Sequence, residues 1–593
     1  MKSILIIAFA CFATASFAQT EVEGEVSGAW TVENSPYIVT DTTWVPENEE
    51  LNIEPGVEVI FAEYGLRVNG VLIAEGTEED SIRLIDGDPE IPSKTILADD
   101  STALISLSYC HFDGGRSFSI TSDHRATISI DNSWLIAGGE VLHAHGACTT
   151  YVSRSVFIST VYREFQSTGT LLNWGTLSAE DCEIYGPRID EDRNGGAIQN
   201  LGYLDLERCL IRGGIGGMYH APGSVRKVID CDLESIGITR GTELRNCIIA
   251  RGVGGPRCIG AQIINNEIGG NLSVSEDFSG VIADNHVAGN LIVGGNRRLD
   301  TEAVIENNEI GGYLRCVDDG RFLVENCNIR SALIVLEAHY FSIRRSEVHG
   351  FVDLGETERF EVLNNTIYPT NIHHTPENTA LLIQNADGHD NRFANNIVFI
   401  PEFEEETNLF DLWSQDFSTI IEYNCFYGMD RLIPGLADVE IHETNIQTDP
   451  LFVHIDTLDF RLLPDSPCID AGDPDSPEDP DGTRADIGAY WYDPEYSVFD
   501  HENEVPKEFI VLPPYPNPFN NACKITIVVN KPQLVSLKIF DINARLLLDR
   551  PKTFYSTGKH VLNIDGSGIT NGSYLVQIEA GNRTNMQKIT FLK

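Results

Sequence analysis

The sequence predicts an all-β chain: a right-handed parallel β-helix solenoid followed by a small immunoglobulin-like β-sandwich. Three observations carry that expectation. The phrase IINNEIGGNLSV (263–274) has relatives along most of the chain. Short alternating Val/Ile/Leu/Tyr runs outnumber windows with helical i, i+3, i+4, i+7 spacing. The 51 glycines and 26 prolines suit many turns rather than long helices.

The amino terminus, MKSILIIAFACFATASFAQT, places Lys2 before an uncharged apolar run and then Ser16-Phe17-Ala18. This predicts a signal peptide over residues 1–18, because the run is short for a bilayer span and ends in small residues. No later stretch reaches spanning length, so the expectation is an exported, monomeric protein without an integral membrane span.

The repeat is clearest with the register fixed on Asn266. The same slot recurs at Asn285, Asn308, Cys327, Ser346 and Asn365, at intervals of 19, 23, 19, 19 and 19 residues. Backward it holds Cys247, Cys231, Cys209, Cys182, Ser155, Ser133 and Cys110, and looser copies place Asn396 and Cys425 in it. Such a period is the signature of a solenoid. Asn, Cys and Ser are small enough to stack on copies of themselves, and asparagine amides can bond from rung to rung. Two residues on, the slot is apolar (Ile268, Val287, Ile310, Ile329, Val348, Ile367). Alternation then sends both slots inward and the residue between them outward. A second short strand follows, as in Leu272-Ser273-Val274 and Leu291-Ile292-Val293. Seven of the twelve cysteines outside the signal segment fall in the anchor slot, which predicts buried thiols rather than a disulfide framework. Pairings of Cys148, Cys258, Cys316, Cys468 or Cys523 stay open.

These elements divide the chain into a cap with first coils (19–95), the helix (96–450), a second cap with an Asp-rich loop (451–497), a linker (498–510) and a sandwich (511–593). Residues 36–82, with Ile53-Glu54-Pro55-Gly56, Leu66-x-Val68 and Gly70-x-Leu72-x-Ala74-x-Gly76, resemble the first coils of secreted bacterial β-helix proteins of the pectate-lyase-like superfold. SPCIDAGDPDSPEDPDGTRADIGAY (466–490) resembles the segment that ends the helix in that family. The resemblance covers roughly residues 25–495 and implies the fold. It implies no single activity, because the family mixes lyases, hydrolases, epimerases and adhesins. In the tail, Pro516-Asn517-Pro518, Ile539-Phe540-Asp541, Gly572-x-Tyr574 and Lys593 resemble the C-terminal sorting domain of the type IX secretion system. That implies a secreted or cell-surface protein, with the secretion machinery as a partner through residues 511–593.

A net charge of −48 excludes non-specific nucleic-acid binding, which needs clustered Lys and Arg. Outward residues on neighbouring coils stack about 4.8 Å apart, so a functional surface is expected along Glu267, His286, Glu309, Asn328 and Glu347. Arg330, His349 and Tyr368 follow one slot further round, with Asp353 and His373 near them. A cation, a base and a hydroxyl donor are the groups that eliminative cleavage or epimerisation of a uronic-acid sugar uses. Arg330, His349 and Tyr368 are therefore catalytic candidates, and Glu267, His286, Glu309, Glu347 and Asp353 ligand-binding candidates. Asp473, Asp475, Asp479, Asp481 and Asp486, on a Gly/Pro-bent loop, form a candidate structural Ca²⁺ site, although Asp-Pro and Asp-Gly also simply make turns. No zinc spacing, phosphate-binding loop or nucleophile elbow is present. The reading is an exported β-helix protein that binds an extended glycan, with a polysaccharide lyase or epimerase and a structural adhesin or stalk as alternatives.

Overall fold

The structure, a computed structural model, describes residues 19–494 and 509–591, apart from residue 63 and the segments 88–94, 115–118, 123–124, 161–168, 188–195, 217–223, 296–301, 370–378, 385–389, 401–407, 413–418, 429–438, 512–513, 515–518, 520–521, 530–532, 542–544, 556–557, 566–571 and 581–582. The predicted signal segment, most of the linker, Pro516-Asn517-Pro518 and His373 lie outside the described residues. The chain divides into two compact units, Met1–Tyr492 and Asp493–Lys593.

The first unit is a parallel β-helix in which a full coil gives one strand to each of three parallel sheets. The first sheet runs from Gly28–Trp30 to Val439–Ile441, the second through Glu58–Phe61 to Ile446–Gln447, and the third through Leu66–Val68 to Asn408–Leu412. The second and third sheets join where one strand bends through both, as Ile248–Pro256 does. The core is a set of like-on-like stacks. On the first sheet Ile263, Ile282, Ile305, Val324, Ile343, Val362 and Phe393 lie in register on successive coils. On the third sheet Leu272, Leu291, Leu314, Leu333 and Val352 do the same. All are buried, and each contributes roughly 1.5–3 kcal/mol on leaving water.

The recurring asparagines solve the corner between the first and second sheets. The chain turns there on one left-handed residue, with φ of 56° at Asn265, Asp284 and Asn307 and 53° at Asn326. Asn and Asp tolerate that region better than other non-glycine residues. The next backbone N–H, that of the anchor, donates to a side chain of the following coil instead of to a strand carbonyl. Asn266 N–H donates to Asn285 Oδ1 at 3.0 Å and Asn285 N–H to Asn308 Oδ1 at 3.0 Å. Asn365, Asn396, Asn424 and Asn445 repeat the bond. The amides also bond from rung to rung, Asn266 Nδ2 reaching Asn285 Oδ1 at 2.9 Å. Serine supplies the same acceptor, as Ser133 does for Cys110 N–H. The glycines that follow are small because coils approach closely: a Cβ on Gly270 would lie 1.5 Å from the Arg251 carbonyl oxygen.

One register assignment is corrected. The anchor in the coil near residue 425 is Asn424, and Cys425 sits one place further on, paired with Ile397 and Ile446 in the second sheet. The long insertion before this coil hid its spacing. Six cysteines therefore occupy the anchor slot, and all twelve described cysteines are buried free thiols.

The second unit has two antiparallel sheets. One contains Phe509–Val511, Ala522–Val529 and Gly558–Asp565; the other orders Leu546–Tyr555, Gln533–Asp541, Gly572–Ala580 and Arg583–Phe591. Ile525 and Ile527 from the first pack with Leu537, Ile539, Val576 and Ile589 from the second in a separate core. This is the predicted small sandwich.

Candidate functional site

The outward ladder of the second sheet exists as the alternation requires. Glu267, His286, Glu309, Asn328 and Glu347 lie directly beside one another on consecutive coils. Glu267, His286 and Glu309 are exposed, as is Arg330 one slot further round. Favourable pairs hold the row in place. His286 Nδ1 lies 3.1 Å from Glu309 Oε2, and Arg330 Nη2 lies 3.7 Å from Glu309 Oε1. The hydrogen bond to Glu309 raises the His286 pKa above its ordinary value, and the same bond lowers that of Glu309. The row thus presents donors and acceptors, cationic and anionic, at the spacing of the strands.

The ladder changes character at Glu347. Glu347 and His349 are buried, 5% and 3% exposed, where the repeat predicts solvent-facing side chains. Glu347 receives hydrogen bonds from Asn328 Nδ2 (3.0 Å) and the Tyr490 hydroxyl, and His349 Nε2 lies 2.9 Å away. Phe460 packs edge-on against His349, with ring centres 5.5 Å apart, and also meets Tyr368 at 5.6 Å. Residues 452–492 return over this face, and Phe452, Phe460, Leu462 and Ile487 form a second hydrophobic cluster with Ile397 and Cys425. Arg330, His349 and Tyr368 do stand on consecutive coils, since His349 N–H donates to Ile329 O and Tyr368 N–H to Val348 O. Only Arg330 of the three is exposed; His349 and Tyr368 line the seat of the returning segment. The sequence carried a signal for this. The slots that hold Glu and His in earlier coils hold Ile397 and Phe399 in a later one, and a row turning apolar has something to bury.

Asp353 lies apart, on the third sheet between Ile334 and Leu382. Burial pushes its pKa up to about 6, and its Oδ1 has no hydrogen-bond partner among the described residues.

Four of the five aspartates of the 470–490 loop cap backbone amides rather than converge. Asp473 Oδ1 accepts from Asp475 N–H, Asp481 Oδ1 from Thr483 N–H, Asp479 Oδ2 from Asp486 N–H, and Asp486 from the N–H groups of Asp470 and Tyr492. Asp473 also pairs with Arg392. Among the described residues no group of three or more His, Cys, Asp or Glu side chains is placed to hold a metal ion. The residues present do not fit the expected Ca²⁺ site, because four of the five carboxylates are engaged by amides of the loop and the set does not converge.

Fold and surface together define a β-helix protein with a separately folded antiparallel tail. Residues 514–591 match the family model of the secretion system C-terminal sorting domain. The tail is thus a type IX sorting domain, and the chain is a secreted or cell-surface protein that engages that secretion system. No helix among the described residues is long and apolar enough to cross a membrane. No curated protein matches the sequence.

Proposed function

We propose that the solenoid is a glycan-binding protein presented outside the cell, and that an extended polysaccharide lies along the open part of the second sheet. The observation that supports this most is the row Glu267, His286, Glu309 and Arg330. It is exposed and follows the strand spacing, and ion pairs fix His286, Glu309 and Arg330 in place. A regular polymer can meet a row of polar side chains with one contact in each coil, and side chains already held in position lose little further entropy on binding. Binding is favoured over eliminative chemistry because the base that cleavage would use, His349, sits beneath Phe460, where a polymer does not reach. A glycan array probed with the purified chain tests the reading, with capture of at least one extended glycan expected and a silent array against it.

A further inference from the structure

The same second sheet carries another feature nearer the amino terminus. Arg83, Ile85, His111, Asp113, Trp134 and Ile136 line a groove of about 550 Å³. The register is direct: Arg83 lies beside His111 and His111 beside Trp134, while Asp113 lies beside Ile85 and Ile136. Each strand therefore contributes an outward pair two residues apart. Strand geometry makes the floor roughly 7 Å by 10 Å, the size of one or two pyranose rings.

We propose that this groove is a subsite for a neutral sugar ring, a reading that rests on the glycan-binding role above and extends it to a second stretch of the sheet. Trp134 is 44% exposed and offers its indole to solvent at the groove floor. Its electron-rich face attracts the polarised C–H groups of a sugar's apolar side. Ile85 and Ile136 continue the apolar floor. The polar groups are few and convergent, as in ligand sites generally: Asp113 accepts from sugar hydroxyls, His111 can donate or accept, and Arg83 donates. The electrostatics select a neutral ligand. The Arg83 guanidinium is already engaged by Glu58 at 2.7 Å, Asp113 repels a carboxylate, and the chain as a whole carries −48. Trp134 lies six strand steps from Glu267 on the same sheet, about 29 Å at the usual strand spacing. One long polymer can therefore touch both places.

The test is calorimetric titration of the full chain with cellohexaose, mannohexaose, laminarihexaose and xylohexaose, beside hexagalacturonate. At least one neutral hexasaccharide is expected to bind. Trp134→Ala should weaken it tenfold or more, Asp113→Asn severalfold, and Trp134→Phe less than Trp134→Ala. Tyr151→Ala, which removes an exposed aromatic from the first sheet, should change it less than threefold. Trp134 is half outside the core, and an unchanged melting midpoint of the Phe variant separates lost contact from lost fold. Equal binding by wild type and Trp134→Ala overturns the subsite, as does a preference for hexagalacturonate. If an array captures the chain and Trp134 variants bind as wild type, the subsite fails and the glycan reading stands; if no glycan is captured, both fail.

Discussion

The Tyr490 hydroxyl donates to the Glu347 carboxylate across 143 residues of sequence. That bond fastens the returning 452–492 segment to the solenoid and buries a position that the repeat would leave in water. It also marks where the second sheet stops being an accessible surface.

Replacing Tyr490 by Phe keeps the ring and removes the donor. Hydrogen bonds to charged groups are worth about 1.5–3 kcal/mol, so the solenoid should lose about 2 kcal/mol in urea unfolding. Exchange protection of amides in 452–492 should fall first, because the bond acts on that segment. Unchanged stability would show that Asn328 and His349 suffice for Glu347.

The asparagine ladder predicts a graded pair of variants. Asn285→Leu leaves Asn266 N–H and Asn266 Nδ2 without the oxygen they share, and each unsatisfied buried group costs about 1–3 kcal/mol. Asn285→Ser keeps an acceptor for the backbone N–H, as Ser133, Ser155 and Ser346 do elsewhere. Denaturant unfolding should therefore rank wild type, Asn285→Ser, Asn285→Leu. Equal cost for the two variants would contradict the ladder's role.

Asp353 gives a pH dependence with a defined sign. Its folded pKa, about 6, lies above the ordinary carboxylate value of 3.8, so the folded state binds the proton more tightly. The contribution is present below pH 4 and lost as pH rises through 6. Asp353→Asn should raise the melting midpoint at pH 7.5 and have little effect at pH 4. A variant no more stable than wild type at pH 7.5 would contradict this.

Chelation separates the two readings of the aspartate loop. With Asp473, Asp479, Asp481 and Asp486 committed to backbone amides, excess EDTA should leave the melting midpoint of the solenoid unchanged. A fall of several degrees, reversed by Ca²⁺, would show that the loop holds an ion.

Much of the architecture was legible because a solenoid repeats its physics. Anchor slot, apolar slot and outward residue could be read from 263–274 and carried along the chain, and the sandwich followed from alternating strands after residue 511. The slip at Cys425 came from an insertion that broke the spacing. The covering of Glu347 and His349 was legible only as a hint in the later apolar slots, because it depends on a segment more than a hundred residues later, and period alone does not report what folds back over a face. The aspartate loop reads two ways for a related reason: composition suits both a cation and a set of turns, and the amides that four of those carboxylates meet favour the turns. Trp134 was overlooked because a single outward aromatic leaves no periodic mark.

The measurement closest to the central claim is binding of the full chain to an array of extended glycans, wild type beside Glu309→Ala/Arg330→Ala. The account predicts capture of at least one polymer and at least a tenfold loss of affinity for it in the double variant. A silent array, or equal capture by both proteins, would contradict it.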